Sequence, residues 1–222
     1  MIFRDLELWI DPLRRSGPEN MAVDEWLLEK QELPLLRVYQ WDGNWGSIGY
    51  FGELAEAQYN MGDLKWVRRW TGGGVVDHRN DWTYSLMIPR GSAAARMKSA
   101  ESYRVIHDVL VKVLSREGVM VALSGGVEKS GDLCFQNPVE FDVVGVEDGR
   151  KLAGAAQRRS KNGLLHQGSV ALADGDNRAA RGKAFAGCLA ENWHEARISV
   201  DSARISELIG LKYGTATWLG RR

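Results

Sequence analysis

One helix constrains this chain more than any other feature. Between Glu101 and Glu117, the residues Val105, Ile106, Val109, Leu110, Val113 and Leu114 recur at helical spacing, and Gly118 supplies the stop. A stripe that wide has to be covered by a layer. The segments on both sides of it read as strands: Leu35–Trp41, Ser47–Gly49, Trp66–Trp70 and Thr83–Ile88 before, Val119–Leu123 and Val139–Glu147 after. Lys151–Gln157 and Leu164–Leu172 then read as a hairpin around Lys161-Asn162-Gly163. Further helices are expected over Asn20–Lys30, Arg178–Leu189 and Ala203–Ile209, and Arg90–Ala95 reads as a loop. A long helix between groups of strands is an α+β pattern rather than strict βαβ alternation.

Composition narrows the partners. Of 222 residues, 29 are Lys or Arg and 29 are Asp or Glu, so the formal net charge is zero, and the bulk electrostatic case for nucleic acid falls away. A hydrophobic fraction of 44% and a charged fraction of 26% are those of a globular chain. Cys134 and Cys188 are too few for a disulfide framework. No run approaches about 18 apolar residues, so no membrane span is expected. The opening Met1-Ile2-Phe3-Arg4-Asp5-Leu6-Glu7 puts acids where a signal peptide needs an apolar core. The expectation is one cytoplasmic domain over residues 1–222.

Three places can carry chemistry. The first is Arg68-Arg69-Trp70-Thr71-Gly72-Gly73-Gly74. Three consecutive glycines cost backbone entropy and pack nothing, which makes sense at a surface turn or where a ligand must approach the backbone. The flanking arginines suit a phosphate or carboxylate. The spacing is neither a dinucleotide fingerprint nor a P-loop. The second is Gly149–Lys161, with five bases, no acid and small residues between them; it reads either as a solvated face or as a cleft wall reached by Lys151. The third is Cys134, in Gly131-Asp132-Leu133-Cys134-Phe135-Gln136-Asn137-Pro138, beyond a loop bracketed by Ser124-Gly125-Gly126 and Lys129-Ser130-Gly131. A lone thiol is either a small buried hydrophobe or, with partial exposure and a nearby cation, a nucleophile. Cys188 sits on an expected helix and reads as structural. Among the histidines, His107 reads as a surface or boundary residue, and His194 has no partner at metal spacing. His78 and His166 each follow closely on one of the two loops. None pairs with a cysteine in a zinc pattern, so no metal site is expected.

Taken in order, these segments resemble the lipoate–protein ligase and octanoyltransferase family, relatives of the biotin ligase catalytic domain. The resemblance is carried by Asn20-Met21-Ala22-Val23-Asp24-Glu25, by Leu36–Trp41 with Ser47-Ile48-Gly49-Tyr50, by Arg68–His78 with Thr83-Tyr84-Ser85, and by Lys151–Gln157 with Leu165-His166-Gln167-Gly168-Ser169. It implies a mixed sheet flanked by helices that lines a tunnel for an acyl chain. It also implies that an octanoyl or lipoyl group is placed in amide linkage on one lysine of a carrier, either a lipoyl domain of a 2-oxoacid dehydrogenase or the glycine-cleavage H protein.

The resemblance assigns Lys151 as the fixed charge beside the reacting carbonyl. It assigns Arg69, Thr71, Gly72, Gly73, Gly74, His78, Gly154, Ala155, His166 and Gly168 to acyl or adenylate binding. Two mechanisms divide the family. A transferase moves the group from a carrier thioester, such as that of acyl carrier protein, through a cysteine; the context of Cys134 resembles that of a cysteine-dependent branch. A ligase instead forms an acyl-adenylate from free acid with ATP and Mg. The Gly triplet is more typical of ligases, whereas only about 50 residues follow the His166 strand, which leads us to expect no C-terminal accessory domain and favours a transferase. No tightly bound cofactor is implied. A non-catalytic binder of lipoyl domains would have little need for both Lys151 and Cys134, and the Gly-Arg-Gly-Arg type of loop common in biotin ligases is absent.

Overall fold

In the computed structural model, which describes residues 1–125, 139–172 and 177–221, the chain opens with β1 (Phe3–Arg15), α1 (Gly17–Lys30), β2 (Leu35–Trp41), β3 (Trp45–Ile48) and α2 (Leu54–Asn60). It continues through β4 (Lys65–Arg68), β5 (Val76–Asp77), β6 (Trp82–Pro89), α3 (Ala93–Arg96), α4 (Ser99–Arg116), β7 (Val121–Leu123) and β8 (Val143–Gly145). It closes with β9 (Lys151–Ser160), β10 (Gly163–Val170), α5 (Arg178–Leu189), β11 (Ala190–Glu195), α6 (Ser202–Leu208), a π-helical turn (Ile209–Tyr213) and α7 (Ala216–Leu219).

Among the described residues, eight strands pair in the order β11-β1-β2-β6-β10-β9-β8-β7, and β4-β3-β5 form a smaller sheet. The large sheet is mixed: β1 runs parallel to both β11 and β2, and every pairing from β2 through β6, β10, β9 and β8 to β7 is antiparallel. This is the expected α+β domain with helices on both faces.

Each face has its own core. The α4 stripe was legible because its period is local: Ile106, Val109, Leu110, Val113 and Leu114 are buried with Leu36, Val38, Tyr84 and Phe185. Gly118 ends that helix at φ +83°. The opposite face receives α1, whose entry is a reciprocal cap: the Glu19 amide donates to Ser16 Oγ, and Glu19 Oε2 accepts from the Ser16 amide at 2.8 Å. Helix α1 packs on β6 and β10 and, on its other side, on α6 and the π turn. It therefore buries polar Asn20 and Asp24 along with Met21, Val23 and Leu27. Among the described residues, no helix is long and apolar enough to cross a membrane.

Three expectations need correction. Arg90–Ala95 is not all loop, because Ala93–Arg96 winds into one helical turn. Val139–Glu147 is not one strand: only Val143–Gly145 joins the ladder. The Asp142 amide donates to the Val139 carbonyl, and the Asp142 carboxylate accepts from the Val139 amide at 2.8 Å. The Val139 and Asp142 amides are spent on this local turn, while the Phe141 amide and the Asp142 carbonyl bond to Ser124. Third, His107 is fully buried rather than a surface or boundary residue. The bracketed loop at 126–131 and Cys134 lie outside the described residues.

Candidate active site

The glycine triplet follows β4 and is held in place from below. Gly73 has φ +81°, a conformation glycine adopts without a steric penalty. Gly49 lies so close beneath that a Cβ there would come within 1.9 Å of the Gly73 carbonyl oxygen. Arg69 threads the loop: one terminal nitrogen donates to the Gly72 and Gly74 carbonyls at 3.0 and 2.8 Å, the other to the Ser47 carbonyl and Oγ at 3.0 and 2.6 Å. Burial pushes its guanidinium down to about 10, still charged near neutral pH. Arg68 has a different task. Its nitrogens donate to six carbonyls, those of Gly49, Tyr50, Gly52, Trp218, Leu219 and Arg221, so that guanidinium is committed to backbone rather than to an anion.

His78 sits at the far end of the loop. Its ring stacks on Trp41 with centroids 3.9 Å apart, its Nε2 is 2.6 Å from Ser47 Oγ, and its Nδ1 is 2.7 Å from Asp81 Oδ2. Asp81 also accepts from Ser169 Oγ at 2.6 Å and Thr83 Oγ1 at 3.0 Å. A chain of hydrogen bonds thus runs from Asp81 through His78 and Ser47 to Arg69 and the loop carbonyls. Ser47 is fully buried, which makes it a link in that chain rather than an accessible nucleophile.

Across the site stands Lys151, the first residue of β9. Its Nζ is 2.8 Å from Asp142 Oδ2, with the lysine side chain 35% exposed and the carboxylate wholly buried. The pair lies over Gly154, where a Cβ would fall 2.6 Å from Lys151 Cε and 3.1 Å from Asp142 Oδ1. The lack of a side chain at position 154 is what lets the lysine lie down on the strand.

Of the residues singled out in the sequence, Arg69, Gly73, Gly74, His78, Lys151, Gly154, Ala155 and Gly168 line one cavity of about 930 Å³. Thr71 stands behind the wall and donates to Gln167 Oε1 at 2.7 Å, and Gln167 does line the cavity. Gly72 contributes its carbonyl to Arg69. His166 belongs to the opposite face of the sheet, buried against Tyr84, Tyr103 and His107, and burial holds its imidazole well below the usual range, hence neutral. Sequence reading missed Asp81, Ser47, Asp142 and Tyr103. Each contacts the site through a residue distant in sequence or lies in a stretch whose local pattern pointed elsewhere.

The large mixed sheet flanked by helices is the fold of the lipoate ligase catalytic domain. The structure of lipoate-protein ligase A bound with ATP superposes with a TM-score of 0.73 over 98% of this chain and 98% of that one, at 22% identity. The chain belongs to the lipoyl protein ligase A/B catalytic domain family, whose model matches residues 16–209. Among curated relatives, octanoyltransferase LipM of Symbiobacterium thermophilum is 35% identical over 180 residues, covering 73% of this chain and 64% of the relative. LipM of Bacillus subtilis is 32% identical over 188 residues, 75% of this chain and 66% of the relative. The chain thus spans just under two thirds of the length of the relatives it matches.

Proposed function

We propose that this protein transfers an octanoyl or lipoyl group to one lysine of a lipoyl-carrier domain, as found in 2-oxoacid dehydrogenases or the glycine-cleavage H protein. The observation that carries the reading is Lys151, held at 2.8 Å by a buried carboxylate on the rim of the cavity that the glycine loop also lines. A fixed ammonium beside an acyl carbonyl stabilises the oxyanion that forms on attack, a contribution of about 3–4 kcal/mol where such a charge is preorganised. Family membership and the octanoyltransferase relatives support the acyl class.

The chemistry balances as follows. Cys134 gives up its proton and, as thiolate, attacks the carbonyl of an acyl-carrier thioester; the new C–S bond forms, the donor C–S bond breaks, and the donor sulfur takes up that proton and leaves as thiol. The neutral amine of the carrier lysine then attacks the enzyme thioester. A C–N bond forms, the Cys134 sulfur leaves, and the proton shed by the amine restores the thiol. Arg69, Gly73, Gly74, His78, Gly154, Ala155 and Gly168 shape the acyl site, backed by Thr71, Gly72 and His166. No tightly bound cofactor takes part, and the protein acts in the cytoplasm through this catalytic domain.

The test is intact mass after incubation with octanoyl-carrier thioester in the absence of ATP. We expect a gain of one octanoyl group that disappears in Cys134→Ala. No adduct, together with carrier modification that requires free lipoate, ATP and Mg, would make the protein a ligase and leave Cys134 a packing residue.

A further inference from the structure

We infer that Tyr103 is a positioning residue for Lys151, acting through Asp142. The inference rests on the proposed role of Lys151. Among the described residues, strand β8 pairs with β9 at Ala153 and Lys151, and the next amide along that edge, at Ala155, bonds to a side chain rather than to a strand. Tyr103 reaches in from α4 and accepts that amide on its hydroxyl at 2.9 Å. The same hydroxyl donates to Asp142 Oδ1 at 2.5 Å, while Oδ2 of that carboxylate holds Lys151 Nζ at 2.8 Å and the Val139 amide at 2.8 Å.

A single phenol therefore ties together the strand edge and the counter-ion of the lysine. Burial, then the charge and hydrogen bond of Asp142, push the phenol up from its ordinary value, so it remains a donor at any working pH. One helical turn further along α4, His107 Nδ1 lies 2.6 Å from the Phe141 carbonyl. That contact fixes the corner where Phe141 adopts φ +69°, an uncommon conformation for a residue with a bulky side chain. Two side chains at i and i+4 on one helix thus set the 141–142 corner from behind. Tyr103 is not among the residues lining the cavity. Its hydroxyl reaches the cavity through Asp142 and Lys151 and through the Ala155 amide; an effect carried by Ala155 would persist in an Asp142→Asn background, whereas one carried by the lysine would not.

Tyr103→Phe removes only the hydroxyl, and the ring still packs on His107, 4.2 Å away between centroids. In carrier acylation we expect kcat to fall about 10- to 100-fold, as for the loss of a hydrogen bond to a charged group, with KM for the acyl donor unchanged. In an Asp142→Asn background the same substitution is expected to cost nothing further, because its route to Lys151 is already cut. A readout independent of turnover is acetylation of Lys151 by acetic anhydride relative to exposed Lys30, followed by peptide mass spectrometry. Tyr103→Phe and Asp142→Asn should each raise labelling of Lys151 several-fold, and the double variant no more than either. Wild-type kcat and labelling in Tyr103→Phe, or losses that multiply in the double variant, would overturn the inference. Full activity in Lys151→Ala would instead sink the site assignment, while the labelling still reports whether Tyr103 holds the lysine.

Discussion

The ion cluster around Arg37 and the one around Lys151 use the same chemistry, and they differ in what is left over. Arg37, Asp11 and Asp24 are all fully buried. The guanidinium spends its donors on both carboxylates and on the Asn20 side chain and carbonyl. Asp24 also accepts from Ser85 Oγ at 2.5 Å and Gln167 Nε2 at 2.8 Å. Burial alone would lower the Arg37 value, but Asp24 and Asp11 outweigh it and raise it. Arg37, Asp11 and Asp24 do not line the cavity. At Lys151 the carboxylate is as deeply buried and as fully bonded, yet the lysine stays 35% exposed. An ion cluster saturated on all sides is scaffold; one whose cation keeps an open side is available to a substrate.

The comparison can be broken at its closed end first. Arg37→Ala leaves buried Asp24 without its counter-ion and Asp11 with Arg15 alone, and should cost about 3–5 kcal/mol of stability, measured by urea unfolding. Lys151→Ala should do the reverse, lowering carrier acylation by about 10²- to 10³-fold while moving the urea midpoint little. If Lys151→Ala destabilises the fold as much as Arg37→Ala does, the distinction between the two clusters fails.

The support behind Lys151 should also show in acid. Burial pushes His107 down to about 4, so between the unfolded value and 4 the unfolded chain binds a proton that the native state refuses. Its contribution is complete above about pH 6.5 and is lost as pH falls towards 4, amounting to about 2 kcal/mol at pH 5. His107→Gln should flatten that part of the stability–pH curve. A curve unchanged by the substitution would mean that another group carries the acid dependence. The smallest effect is expected from Gly154→Ala. The added methyl displaces the lysine and should lower kcat about tenfold, or about 1.4 kcal/mol, with the fold unaltered.

What could be read in advance was local. The α4 stripe, the 151–170 hairpin and the glycine triplet each announce themselves within about twenty residues or fewer. Strand β1 did not, because Pro12 and a register shift between Ile10 and Arg14 interrupt its alternation, with buried Asp11 inside the irregular stretch. Nor did β11, whose residues after Ala190 are exposed or half-buried. At the site, Lys151 and the glycines were visible as residue types, whereas Asp142 sat in an alternating stretch that looked like strand. Tyr103 and His107 appeared as members of an amphipathic helix. Their roles depend on which groups the fold leaves unpaired at the edge of β9, and a helical period carries no information about that.

Arg68 extends this to the order in which the molecule can be assembled. The strand that launches the glycine loop is bonded to the carbonyls of Trp218 and Leu219, 150 and 151 positions later, and the Trp218 indole returns a bond to the Arg68 carbonyl at 3.0 Å. During synthesis the loop therefore emerges long before the residues that clamp it. Contacts of such separation form only after their loop-closure entropy has been met. The glycine loop is thus among the last parts of the domain to set, and a chain interrupted before residue 218 would carry the loop's glycines without the clasp that shapes them.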